Sequence, residues 1–292
     1  MAKARALDKR RKSIRNIRKI TRTMELIATA RFKKAMDRAH AATAYTRRMT
    51  QLVADLANSG LEVKHPLLEP RETTDRAVLL VLTANRGLCG GYNSSVLRAG
   101  FARYVELQQE IPNLELEISG KRGIAAARFR GYVPSTTYTQ FEDRPSFEEV
   151  NVLAERYLAE YSSGQLDRLD VAYMQFENVS RQSVVVETLL PLGSLGEEPA
   201  EENKSQLQYE FLPSAESILE EVVPTSFKVK LFKCLLDAAV SEQVARMVAM
   251  KAATKAAGDR IRQLSMAYNR ARQTQITGEI MEIIGGVEAL NN

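Results

Sequence analysis

A chain of 292 residues with 45% hydrophobic and 26% charged content can bury a substantial core, and its length carries a prior of about two domains. Its net charge of +5 is strongly segregated: residues 1–60 carry +12, residues 226–292 carry +4 and the middle carries −11. No run approaches the roughly 18 apolar residues of a membrane span, and two distant cysteines with two histidines exclude a structural zinc site.

From Ala4 to Ser59 there is neither Gly nor Pro, so nothing interrupts a helix that would span roughly 80 Å. Ile14, Ile17, Thr21, Met24, Ala28, Ala35, Ala42, Tyr45, Met49, Leu52 and Leu56 share one heptad frame, interrupted by Arg31 and Arg38. Small residues in the middle of the frame permit close approach of a second helix. The basic charge suits an acidic partner, whether nucleic acid, anionic lipid or acidic protein loops, or else forms a solvated face. An Arg-rich, acid-poor start also has the composition of a transit peptide, but the apolar pattern continues without an obvious cleavage point.

Between residues 70 and 215 the pattern alternates between strand and helix. Ala77 to Leu82 reads as a buried strand, 94–110 as a helix, Leu114 to Ile118 as an alternating strand and 124–129 as a short helix. A further helix is expected over 147–162, with Glu148 and Glu149 in a solvated first turn. Asp170 to Phe176 and Ser183 to Leu190 read as a strand pair turning near Asn178, and the acidic stretch Gly193 to Ser205 as an exposed loop. This order predicts a Rossmann-like α/β layer with an antiparallel addition. The second long helix is expected to start after Pro224, with Thr225 or Ser226 as N-cap, and to run to about residue 284. Met250, Thr254, Ala257, Ile261, Leu264, Tyr268 and Ala271 form a heptad seam on it. Two helices too long for a core of this size need each other as partners. The expected fold is therefore α/β, a long antiparallel coiled coil of the N- and C-terminal helices (1–60 and 216–292) plus a central Rossmann-like domain (70–215).

The Gly-rich turn Asn85 to Asn93 lies between a strand and a helix, where a phosphate could bind. Its spacing is neither G-x-G-x-x-G nor G-x-x-x-x-G-K-[ST], so a structural turn with Asn93 or Ser94 as N-cap competes with a nucleotide site. Two histidines in unrelated contexts make no catalytic triad, and no residues point to a catalytic site, a cofactor or a metal. Cys89 and Cys234 read as small buried side chains in a reducing compartment.

Ser241 to Thr254 (SEQVARMVAMKAAT) closely resembles the gamma subunit of F-type ATP synthases, as do Tyr268 to Ile280, Ile20 to Ala28 and the Asn85 to Asn93 turn. The resemblance covers essentially the whole chain. It implies a non-catalytic rotor: a coiled coil inside a ring of alpha and beta subunits, with a foot that contacts the epsilon subunit and the c-subunit ring. The partner of the basic helix is then protein rather than nucleic acid. Membrane association would arise only through the complex, peripheral to the cytoplasmic face of a bacterial inner membrane. The resemblance implies beta-subunit contacts for Met24, Arg246, Gln273 and Thr277, and c-ring contact for Tyr209 and Glu210. Phe211-Leu212 and Lys255-Ala256-Ala257 depart from the family's usual runs, and the absence of cysteine in Gly193 to Ser205 implies no thiol regulation. On a helix Gln273 and Thr277 share a face, whereas Arg246 lies roughly 40 Å away on the opposite side.

Overall fold

The computed structural model describes the chain except residues 1, 59–64, 69–70, 72, 142–143, 193–214 and 292; the side chains of 2–3, 40–58, 215–219 and 288–291 also lie outside the description. Tyr209, Glu210, the acidic loop, His40 and the heptad positions from Ala42 onward therefore fall outside the described residues or side chains. Contacts divide the chain into two units, Met1–Thr29 with Arg246–Asn292, and Ala30–Ala245.

In the second unit a five-stranded sheet has the order β3-β2-β1-β4-β5, with β1 Arg76–Leu82, β2 Asn113–Ser119, β3 Thr136–Tyr138, β4 Arg168–Asn178 and β5 Arg181–Leu190. β1 pairs parallel with β2 and β4, β2 parallel with β3, and β4 antiparallel with β5. The three-residue β3 has no counterpart among the expected strands; it is too short for a period-two signal and exists by pairing with β2.

Alternate residues of β1 enter different cores. Val78, Leu80 and Leu82 face α4 (Phe147–Ser162) and α5 (Ala215–Asn291), packing with Tyr157, Phe227 and Leu231. Leu79 and Val81 face α2 (Tyr92–Glu110) and α3 (Lys121–Phe129), packing with Val96, Phe101 and Ala127. A parallel sheet is buried on both faces because its crossover helices cover them, which is why β1 reads as an unbroken apolar run. Gly120, at φ +100, permits the tight passage from β2 to α3: a Cβ there would lie 2.1 Å from the Thr83 carbonyl oxygen.

The long helices are α1 (Ala2–Asn58) and α5. α5 does not begin after Pro224. It starts at Ala215 and carries Pro224 inside. The expected cap Thr225 instead donates its hydroxyl to the Glu221 carbonyl at 2.8 Å, one turn back. A proline inside a helix costs about 3 kcal/mol, but full burial of an apolar side chain gains about 1.5–3 kcal/mol. Val223, Phe227 and Leu231 are all fully buried, so packing outweighs the break. Gly285 and Gly286 likewise do not end the helix.

One further local expectation is corrected: Gly91, not Asn93 or Ser94, is the N-cap of α2. Asn93 is committed elsewhere: its Oδ1 accepts from the Ala84 N–H at 2.9 Å. The first turn of α4 is solvated as expected, Glu148 and Glu149 both being exposed, and it is also a capping box in which Ser146 and Glu149 each accept from the other's backbone N–H.

Candidate functional site

Within the first unit the heptad prediction takes physical form. Met250 and Ala257 are buried, and Thr254, Ile261, Leu264, Tyr268 and Ala271 are half-buried, between exposed neighbours. On α1, Thr21 and Ala28 are buried and Ile14 and Met24 half-buried, whereas Ile17, expected in the seam, is 45% exposed. The Thr254 hydroxyl donates to the Thr21 hydroxyl at 2.9 Å. The Arg11 guanidinium lies over the Tyr268 ring, 4.6 Å from its centroid. Earlier residues of α1 meet later residues of α5, so the pair is antiparallel.

That register places the proposed contact residues. With Thr21 opposite Thr254, Met24 falls roughly level with Lys251, about one and a half turns from Arg246. From Arg272 to Val287 every residue is exposed except Gln275, which is half-buried. Gln273 and Thr277 are both exposed, one turn apart. Around and beyond them Ile276, Ile280, Met281, Ile283, Ile284 and Val287 are exposed, an apolar patch of the kind that marks a protein interface. Sequence reading missed this patch as a surface. Its signal was present, as Ile276, Ile280, Ile283, Ile284 and Val287 recur at helical spacing past the last seam position, a stripe on one face of the helix.

Arg246 behaves differently. It is only 7% exposed and is engaged within the chain. Sequence spacing put it and Gln273 on opposite faces, but could not show that one is buried and the other free to solvent. Met24 is half-buried, next to exposed Leu26 and Ile27.

The Gly-rich turn has spent its hydrogen-bonding groups internally. Asn85 accepts from the Lys121 N–H at 3.0 Å and donates to the Thr139 carbonyl at 3.0 Å, tying the turn to α3 and to the end of β3. The Gly123 N–H donates to the Thr83 hydroxyl at 2.9 Å. Those N–H groups open α3; at the start of α2, which follows the turn, the Tyr92 N–H donates to the Cys89 carbonyl at 3.2 Å and the Ser95 N–H to the Gly91 carbonyl at 2.9 Å, with no side-chain cap. Leu88, at φ 65 and 59% exposed, is the exposed large apolar side chain of the turn. The geometry favours a structural turn.

A polar cluster that sequence reading also missed lies under α4. Glu117, with no exposed surface, accepts from the Tyr138 hydroxyl at 2.8 Å, the Tyr157 hydroxyl at 2.6 Å and Arg156 Nη2 at 2.8 Å. Burial, then the adjacent carboxylate, pushes both phenols above their ordinary range. Three fixed donors make this a structural tie rather than an acid or base. Among the described residues no group of three or more His, Cys, Asp or Glu is arranged to hold a metal, and no helix is long and apolar enough to cross a membrane.

Comparison with known proteins gives a consistent result. A family model described as ATP synthase matches residues 3–290. The ATP synthase gamma chain of Rhodopirellula baltica is 66% identical over 294 residues, covering 99% of each chain. Among solved structures, the rotor of the Euglena gracilis mitochondrial ATP synthase matches at TM-score 0.61 and 16% identity, covering 94% of this chain and 99% of the other. A chain from the OSCP/F1/c-ring structure of the same enzyme matches at TM-score 0.66 and 17% identity, covering 99% and 95%. At such identities the structural likeness is one of fold.

Proposed function

The chain belongs to the ATP synthase gamma family, and on that premise we propose that it is the non-catalytic central-stalk subunit of a proton-translocating F-type ATP synthase. It turns with the membrane c ring and drives the catalytic sites of the beta subunits through their states. The observation that carries this reading is the 66% identity to a gamma chain over nearly the full length, joined to an α5 end that exposes polar and apolar side chains. The coiled coil is the shaft, and residues 70–215 form the foot. Gln273, Thr277, Met24 and Arg246 are assigned to the beta subunits of the alpha–beta ring, and Tyr209 and Glu210 to the c ring, beside the epsilon subunit. Attachment to the cytoplasmic face of a bacterial inner membrane is peripheral, through the complex. A nucleic-acid-binding coiled coil, the other reading of the basic first helix, is not supported by the family match.

In the assembled complex, Gln273→Ala combined with Arg246→Ala should lower ATP synthesis roughly thirtyfold, the loss expected from two polar contacts of about 1 kcal/mol each. Circular dichroism of the purified variant chain checks that it remains folded, and Gln273→Ala alone separates surface contact from the buried Arg246. Unchanged synthesis in the double variant would remove the assigned contacts.

A further inference from the structure

None of the contacts assigned above uses the outward face of α3 or the turn that follows it. Lys121, Arg122, Ala125, Arg128 and Phe129 are all exposed, and their helical spacing sets them on one face. Arg130, in the turn, is exposed too, its guanidinium lying over the Phe101 ring at 4.9 Å from the centroid. From Lys121 to Phe141 the sequence holds four cations and neither Asp nor Glu, inside a middle segment whose net charge is −11. Other arginines of the sheet unit are paired, Arg103 and Arg168 with Asp170 and Arg156 with Glu117. Among the described residues these four cations meet no carboxylate.

The turn sets two apolar side chains beside them. The Gly131 N–H donates to the Arg128 carbonyl at 3.2 Å and the Tyr132 N–H to the Ala127 carbonyl at 3.0 Å, while Gly131 takes φ +79, the left-handed residue that closes such a helix end. Tyr132 is thereby turned inward, its ring 5.1 Å from that of Phe101 and 5.5 Å from that of Tyr104. Phe129 and Val133, on either side of the closure, are left 92% and 87% exposed, more than any other large apolar side chain described. They project from a hydrogen-bonded turn and lie in no groove of their own chain.

We propose that this face, α3 with the turn through Val133, rests on a surface of anionic phospholipid, with Phe129 and Val133 entering the headgroup layer and the four cations among its phosphates. The proposal rests on the reading of residues 70–215 as the foot, the part of the chain nearest the membrane. Cations flanking projecting apolar side chains are the chemistry of binding at a membrane surface. An acidic protein would need carboxylates placed one by one against the cations and a socket for Phe129. A lipid layer requires only that both project from one face. Two apolar side chains and four cations make a weak contact, which adds to the attachment through the complex. Because no single lipid is required, a turning foot can break and remake it.

The chain contains no tryptophan, so Phe129→Trp places a single reporter on this face. In the purified full chain its emission should shift to the blue on vesicles of phosphatidylglycerol and phosphatidylcholine in equal parts, and brominated acyl chains should quench it. Vesicles of phosphatidylcholine alone should do neither, and high salt should reverse the shift. Val152→Trp, on α4 at the other face of the sheet and at a position 69% exposed, controls for adsorption through the basic α1 and should not be quenched. Adding Lys121→Gln and Arg128→Gln to the Phe129→Trp chain should raise the lipid concentration for half quenching roughly fivefold per cation, with circular dichroism to check the fold. Absence of quenching in Phe129→Trp, or equal quenching in Val152→Trp, overturns the proposal. So does emission that changes only when the chain is assembled with other subunits, which gives the face to a protein partner. The vesicles contain no other subunit, so their result is separate from whether the chain serves as the rotor.

Discussion

Glu117 shows how a single residue changes meaning once its surroundings are known. In an alternating strand it reads as the solvent side, yet it is fully buried and held by three donors. Removing one partner of a buried pair strands the others, at a cost of about 3–5 kcal/mol. Glu117→Ala should therefore lower the urea-unfolding free energy of the full chain by that amount. Glu117→Gln, which keeps one acceptor, should cost less. The cause of the misreading is specific: period two separates the two faces of a strand, but it does not say that helices cover both. Arg246 carries the same lesson in reverse. A cation assigned to a partner by motif is already enclosed by its own chain.

Among the elements, α1 and α5 were the most legible, because a heptad repeat is a local property of a helix that survives any context. Their pairing is thin, with Ala28 and Ala257 at its centre. Small side chains do little to oppose sliding, so the hydroxyl pair of Thr21 and Thr254 gives the seam a specific register. In a double-mutant cycle of Thr21→Val and Thr254→Val, measured by thermal unfolding, the two changes should be non-additive by about 1 kcal/mol. Additive effects would mean that each hydroxyl acts alone, through its bonds to its own helix: Thr21 to the Arg18 carbonyl and Thr254 to the Met250 carbonyl. Pro224 marks the opposite case, where a strong local signal was overruled by three fully buried side chains.

For the whole molecule, the exposed end of α5 carries the consequence. Ile280 and Ile284 are 50% and 53% exposed. Replacing both with Ser should change the stability of the isolated chain by less than about 0.5 kcal/mol, as for surface positions generally. In the assembled complex the same pair should reduce the yield of subunits that copurify with the chain, measured by gel densitometry. A large loss of stability in the isolated chain would instead mean that this end packs on its own molecule. The charge division, +12 in residues 1–60 against −11 in the middle, belongs to the same scale: it orients the chain toward partners and does not decide its fold.

By itself the sequence determined the element types, the antiparallel pairing of two long helices, the Rossmann-like order of the middle and the family to which the chain belongs. Each rests on local periodicity or on motifs contiguous in the chain. Tertiary structure alone decided which polar residues are enclosed. Glu117, Asp237 and Arg246 are buried by elements distant in sequence, and burial is a property of what arrives from elsewhere. It also decided that α5 runs through Pro224, because helix ends follow from the packing available to them.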